Sequence, residues 1–259
     1  MDPNEFVSEV YRRMAARLPG GGHVLTVQEF DDQAIDTGRV DFYRGILPAD
    51  KNCRIVDVGA GDGGFLSICN MLGYRNLTAV DFRAAAKFKD VCAHYPHIGA
   101  VDLRNTVGDH FGLSEETFDV IHFSHVIEHF PKYTLLYVVD ALYKALNKGG
   151  LIIVRTPNME GPFALSSYYV TLSHEYGFGG ANLRSLLHIC GFDQIQFHEG
   201  RRAKGLRQKI GRVLRWPYLA NQRLKNRLFG VNRGGRFDAE LVVTARRGEW
   251  PPYFDAKYK

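Results

Sequence analysis

The 259-residue chain contains no run approaching the ~20 consecutive apolar residues that a bilayer-spanning helix needs. Its opening stretch, MDPNEFVSEVYRRMAARL, lacks the uninterrupted apolar segment of a secretory signal. Cysteine is scarce: Cys53, Cys69, Cys92 and Cys190 lie far apart and form no C-x-x-C pair. The expectation is four free thiols in a reducing cytoplasm. Internal repeats and low-complexity tracts are also absent, so one large or two small domains must be built from ordinary elements. With 45% hydrophobic and 24% charged residues, the chain has the composition of a soluble globular protein with ample material for a core.

Acidic residues are missing from one stretch only. Residues 201–237 hold 12 Lys or Arg and no Asp or Glu, within a chain whose net charge is +5. Without that stretch, 21 basic residues face 28 acidic ones, a net charge of −7. The basicity is therefore local.

From residue 53 onward, short apolar runs alternate with longer amphipathic ones. CRIVDVGAG reads as a buried strand, GGFLSICNML as a helix, LTAVDF as a second strand and AAAKFKDVCAHY as a second helix ending before Pro96. IGAVDL and FDVIHFSH are the third and fourth strands. KYTLLYVVDALYKALN is a helix closed by Gly149-Gly150, and LIIVRTP is the fifth strand. NLRSLLHICGF is a helix stopped at Gly191, followed by the strands DQIQFHEG and ELVVTARR. This order predicts an α/β fold: a doubly wound, seven-stranded, mostly parallel sheet with helices on both faces. The expected division is an N-terminal helical or lid segment (1–50), a core (51–200 and 238–248) and a basic amphipathic insertion (201–237).

IVDVGAGDGGFL places Asp57, Gly59, Gly61, Gly63 and Gly64 at a strand-to-helix turn. Glycines there permit positive φ and let backbone approach a ligand. The spacing is not the G-x-G-x-x-G of a dinucleotide site, and no G-K-[ST] follows, so a phosphate-binding loop is excluded. Asp62 inside the loop would repel an anion. A cationic or zwitterionic ligand such as S-adenosylmethionine suits an acidic strand residue better. Asp81, at the end of the second strand, offers a carboxylate that can accept from both ribose hydroxyls.

With DVGAGDGG, AVDF, FDVIHFSHVIEHF and LNKGGLIIVRTPN in this order, residues 50–200 resemble the class I S-adenosylmethionine-dependent methyltransferases. The region is similar to the ubiquinone-type and surface-polysaccharide-associated O-methyltransferases. That resemblance implies S-adenosyl-L-methionine as cofactor. It puts Asp57, Gly59, Ala60, Gly61 and Gly63 around the methionine part, Asp81 on the ribose and Phe82 against the adenine. Asp102 with Leu103 is the preferred adenine contact, Asp109 being the alternative, and Ser124 and His125 close the site.

His125, Glu128 and His129 spell H-x-x-E-H, letters shared with a class of zinc peptidases. Placed at the C-terminal end of a parallel strand they lie where ligands bind, not in a protease helix. Three roles stay open: to shape the turn, to supply a histidine general base, or to hold a divalent metal through His125, Glu128 and His129. The ubiquinone-type enzymes would have a carboxylate where His125 stands, which disfavours a hard cation.

TPNMEGPFALSSYYVTLSHEYGFGG supplies a second cluster. Asn158, His174 and Tyr176 are expected to bind the acceptor, with Glu175 beside them and Phe163, Tyr168, Tyr169 and Phe178 available for ring stacking or simply for packing the loop. His174 is the first expectation for the base, His129 the second and His125 the third. No N-P-P-[YF] stretch, the mark of amino-group methylation on bases, occurs. An oxygen acceptor is expected: a hydroxyl of a sugar in a surface glycan or its precursor, or alternatively a small phenol or quinone.

In the basic stretch Leu206, Ile210, Val213 and Leu214 follow helical spacing, with Trp216 and Tyr218 after them. This reads as a basic amphipathic helix meeting an anionic membrane surface, so the expected location is cytoplasmic and peripheral on the inner membrane face. Nucleic-acid binding on a methyltransferase-like core is the less favoured reading, and a plain solvated cap the bland one.

Overall fold

The computed structural model describes residues 23–35, 37–103, 113–161, 164–198 and 239–250, with isolated positions between 216 and 224. Its centre is one seven-stranded sheet in the order β3-β2-β1-β4-β5-β7-β6. The strands are β1 (Arg54–Val58), β2 (Asn76–Asp81), β3 (Ile98–Asp102), β4 (Phe118–Ser124), β5 (Leu146–Pro157), β6 (Phe192–His198) and β7 (Glu240–Arg247). All pairings are parallel except those of β7, which runs antiparallel between β5 and β6. The doubly wound, mostly parallel arrangement expected from the sequence is present.

Strand side chains alternate between faces, so two cores form. On one face Val56, Val58, Ile121, Phe123, Ile152 and Val154 pack under α6 (Leu135–Ala145) and α8 (Gly180–Ile189). On the other, Ile55, Ala79, Val120 and Ile153 pack under α1 (Val27–Asp32), α2 (Thr37–Ile46) and α3 (Gly64–Met71). The described part of the N-terminal segment is thus part of this second core, through Phe30, Val40 and Tyr43.

Some local expectations need correction. AAAKFKDVCAHY forms two short helices, α4 (Ala84–Lys87) and α5 (Lys89–His94), because Phe88 leaves the helical region and buries its ring edge-on to Phe30. Lys132–Thr134 is a separate 3-10 turn, and α6 ends at Ala145 rather than at Gly149-Gly150. The chain turns straight into β5, and Gly149 (φ +72°) lies where the β4–β5 register shifts between Phe118 and Val120. The glycine pair serves an irregularity in a strand, not a helix stop. α7 (Ala164–Tyr168) completes the described helices beyond β5.

Candidate functional site

The glycine loop joins β1 to α3 with Gly59, Gly61 and Gly63 all at positive φ (+79°, +52° and +75°). Two of them are also held by crowding. A β-carbon on Gly59 would come within 2.2 Å of the Val126 side chain, and one on Gly63 within 2.8 Å of the Phe88 ring. Gly61 has open space above it, so its backbone is accessible to a ligand. The Gly59 and Ala60 N–H groups donate to the Val80 carbonyl, which ties the loop to β2. Asp62, expected to repel anions, is instead engaged by Lys87 at 2.6 Å.

Asp81 stands beside the loop, accepting from the Gly61 and Phe82 N–H groups at 2.7 Å each. Burial raises its pKa above the usual carboxylate value. Asp102 is its register partner on β3 and accepts from the Ala85 N–H at 2.8 Å. Leu103 is buried and donates its N–H to the Asp81 carbonyl. Phe82 is half-buried against the core and Ser124 half-buried at the end of β4. These residues form a shelf of carboxylates and open backbone, which fits the hydroxyls and cationic groups of S-adenosylmethionine. Asp109 and Phe163 lie outside the described residues.

On the other side of β4 the H-x-x-E-H letters do not share a helix face. His125 sits at φ +55°, and only Ile127–His129 form a 3-10 turn. That kink sends His125 toward β7, where Nδ1 lies 3.4 Å from Glu128 Oε1 and Nε2 3.3 Å from Glu240 Oε1. The carboxylates of Glu128 and then Glu240 raise its pKa to about 9. An imidazolium held this way keeps its proton at neutral pH, so His125 is unsuited to the general-base role expected as third choice. It also leaves the metal-compatible set.

His174 takes its place. The Glu128 carbonyl accepts the N–H groups of Glu175 and Tyr176, fastening the acceptor loop to the 3-10 turn. The His129 and His174 rings then meet with centroids 4.9 Å apart. His129 Nδ1 lies 2.9 Å from the Ser173 carbonyl, and His174 Nδ1 3.1 Å from that of Tyr168. A carbonyl only accepts, so both Nδ1 atoms donate, and Nε2 is the nitrogen of each ring that can offer a lone pair. Burial lowers the His129 pKa. Glu128 is 3% exposed, receives the Thr156 hydroxyl on Oε2, and has no hydrogen bond on buried Oε1. Donor atoms of Glu128, His129 and His174 all lie within 4.8 Å of one another. Two imidazoles and a carboxylate are a donor set for a borderline divalent ion, so a metal would be held here, not by His125, Glu128 and His129.

Two of the expected acceptor contacts have partners within the protein. Asn158 is buried, and its Oδ1 accepts from the Glu160 N–H at the turn after β5. Tyr176 packs edge-on to Phe178, and its hydroxyl accepts from Asn182. Tyr168 borders His174, with ring centroids 6.3 Å apart, and Tyr169, 76% exposed, packs edge-on to Tyr168.

A buried polar row had no sequence signal. Asp57, expected at the cofactor, is 3% exposed and accepts from His122 Nδ1 at 2.6 Å. Tyr43 of α2 donates to His122 Nε2 at 2.9 Å, and Arg155 donates to the Tyr43 oxygen at 3.3 Å. Arg155 also donates to Glu240 at 2.5 Å, and Glu240 reaches His125. Burial lowers the His122 pKa, keeping the ring neutral. The row thus links the strand under the glycine loop to the acceptor side.

The sequence matches the family model described as a methyltransferase domain over residues 5–228. A search of curated proteins gave no match. Among solved structures, an Archaeoglobus fulgidus S-adenosylmethionine-dependent methyltransferase is similar at TM-score 0.58 and 18% identity, covering 84% of this chain and 97% of that one. The Burkholderia thailandensis 1,6-didemethyltoxoflavin-N1-methyltransferase, solved with S-adenosylhomocysteine, is similar at TM-score 0.59 and 16% identity over 96% and 92%. Human N-acetylserotonin methyltransferase, solved with S-adenosylmethionine, follows at 0.53 and 16% over 85% and 54%. With the family model spanning most of the sequence on a sheet of this order, the chain belongs to the methyltransferase-domain family and is an S-adenosylmethionine-dependent methyltransferase.

Proposed function

We propose that the protein methylates a hydroxyl oxygen, with the acceptor lying between the glycine loop and the Glu128–His129–His174 cluster. When bound, the cofactor supplies a methyl group already activated on a sulfonium. The protein's tasks are then to align the acceptor and to remove its proton. The observation that carries this reading is the histidine pair whose Nδ1 atoms are both tied to carbonyls, which turns Nε2 into the proton-accepting atom. His174 remains the first choice of base and His129, whose pKa burial lowers, the second.

A sugar hydroxyl of a surface glycan or its precursor is the proposed acceptor, supported by Tyr168 beside His174 and the exposed Tyr169 ring next to it. A small phenol is the second reading, favoured by the lowered His129 pKa, since a weaker base suits a more acidic hydroxyl. A divalent ion on Glu128, His129 and His174 would act as a Lewis acid on the acceptor oxygen. The stretch 201–237, mostly outside the described residues, is proposed to meet anionic lipid at the inner membrane face. Among the described residues no helix is long and apolar enough to cross a membrane.

Calorimetry with S-adenosylmethionine comes first, and a purified chain that shows no micromolar binding would sink the enzyme reading. His174→Ala and His129→Ala are then assayed with cofactor binding intact. Loss of the base lowers turnover by roughly 10²- to 10⁴-fold. If neither variant slows, the assignment of the proton acceptor is wrong. Activity that survives EDTA removes the metal.

A further inference from the structure

The acceptor loop carries an apolar patch that neither core absorbs. Leu165, Tyr169 and Val170 are each at least 74% exposed, and Leu172 is 96% exposed. Leu165 and Tyr169 stand one turn apart, the Leu165 carbonyl accepting the Tyr169 N–H. Val170 and Leu172 follow between two fastened points. The Tyr168 carbonyl accepts from His174 Nδ1, and the Ser173 carbonyl accepts from His129 Nδ1. The histidine pair thus holds the base of the loop while the apolar side chains stand in water. From Gly161 to Ser173 the sequence has no charged residue and no histidine. Four large apolar side chains exposed within eight positions mark a surface that meets an apolar partner.

The neighbouring charge says which partner. The loop leaves β5 at Pro157, which pairs with Glu240 at the start of β7, and the Asn158 N–H donates to the Ala239 carbonyl. β6 runs parallel to β5 and ends at His198. The strand ends that flank the twelve basic residues of 201–237 therefore share one sheet edge with the uncharged loop. A second copy of the chain docked there would face this positive charge with its own. Anionic lipid suits both elements, with headgroups for Lys and Arg and the acyl boundary for Leu and Tyr. Trp216, 68% exposed within the basic stretch, is a side chain of the same interfacial kind. We propose that Leu165, Tyr169, Val170 and Leu172 insert into the interface of an anionic membrane and set the histidine pair at its surface, which rests on the membrane reading of 201–237 above.

The test uses the full chain and vesicles of phosphatidylcholine and phosphatidylglycerol. Trp216→Phe and Trp250→Phe remove both native indoles, and Leu172→Trp puts one on the loop. Its emission shifts to the blue on the vesicles and is quenched by brominated acyl chains. In the native background, Leu165→Ser with Leu172→Ser weakens vesicle affinity by roughly 10- to 100-fold. The factor is the same at every salt concentration, because salt screens charge and not apolar burial. S-adenosylmethionine affinity stays that of the native chain, which separates the loss from a folding defect. An indole that stays unquenched on a chain that floats with the vesicles overturns loop insertion and leaves the basic stretch as the membrane contact. Self-association without lipid, relieved by the two serines, gives the patch to a second copy and overturns it as well. A native chain that binds no vesicle overturns it together with the membrane reading it rests on.

Discussion

His125 shows what one backbone angle decides. At φ +55° its ring comes to lie between the Glu128 and Glu240 carboxylates, and a residue that resembled a base becomes a fixed cation. The consequence for stability has a definite sign. A pKa raised from 6.5 to about 9 gives stability that is fully present below pH 6.5 and lost as pH rises toward 9. His122 acts oppositely: its pKa is lowered by burial, so its contribution is present above pH 6.5 and fades in acid. The side chain of His125 is 44% exposed, so solvent screening makes the effect modest. Thermal melting between pH 6.5 and 9 should fall for the native chain, and His125→Gln should flatten that limb while keeping the acid one. An unchanged alkaline slope in the variant would show that the ion pairs contribute nothing.

Among the elements, α2 adds to its apolar packing a hydrogen-bonded link to the sheet through the Tyr43 hydroxyl. Tyr43 is fully buried and bridges His122 on β4 to Arg155 on β5, so it joins the N-terminal helix to the sheet centre. Tyr43→Phe keeps the ring but leaves buried polar atoms on both strands unsatisfied, at a cost of about 1–3 kcal/mol. Denaturant unfolding should show that loss, and amide exchange should quicken across Thr37–Ile46 before β1 or β4. Uniform exchange across all three would mean that α2 has no separate anchor. None of this was legible in the sequence, because Asp57, His122 and Tyr43 are 65 and 79 residues apart in their pairings. Within FDVIHF, His122 also sits where alternation calls for an apolar side chain. The strands were legible because each is a short apolar run contained in one segment: ELVVTARR is β7, Glu240–Arg247. The glycine loop and Asp81 could be read for the same local reason. His174 and His129 could be named but not paired, since their meeting depends on a loop fastened to the Glu128 carbonyl.

At the scale of the whole molecule the charge division has a geometric consequence. The stretch 201–237 leaves after β6, which ends at His198, and returns at β7, which begins at Glu240. Glu240 pairs with Pro157 at the end of β5, and β6 runs parallel to the central strands, since both it and β5 are antiparallel to β7. The described strand ends on either side of the stretch, His198 and Glu240, therefore lie at the edge of the sheet that carries the histidine pair, and the stretch holds twelve basic residues in a chain that is otherwise net acidic. If they meet anionic lipid, each basic residue near the surface contributes about 1 kcal/mol, and the attraction fades as the screening length shortens from ~10 Å at 0.1 M salt to ~3 Å at 1 M. The chain should float with vesicles of phosphatidylcholine and phosphatidylglycerol at 0.1 M salt, detach at 1 M, and ignore phosphatidylcholine alone. Replacing six of the twelve basic residues by Gln should abolish flotation and leave S-adenosylmethionine binding unchanged, because the glycine loop and Asp81 lie on other elements. Equal flotation with neutral vesicles, or none at low salt, would remove the membrane from the reading. Displacement of the bound chain by single-stranded RNA at equal charge would move the partner from lipid to nucleic acid, since a phosphate backbone recruits the same side chains.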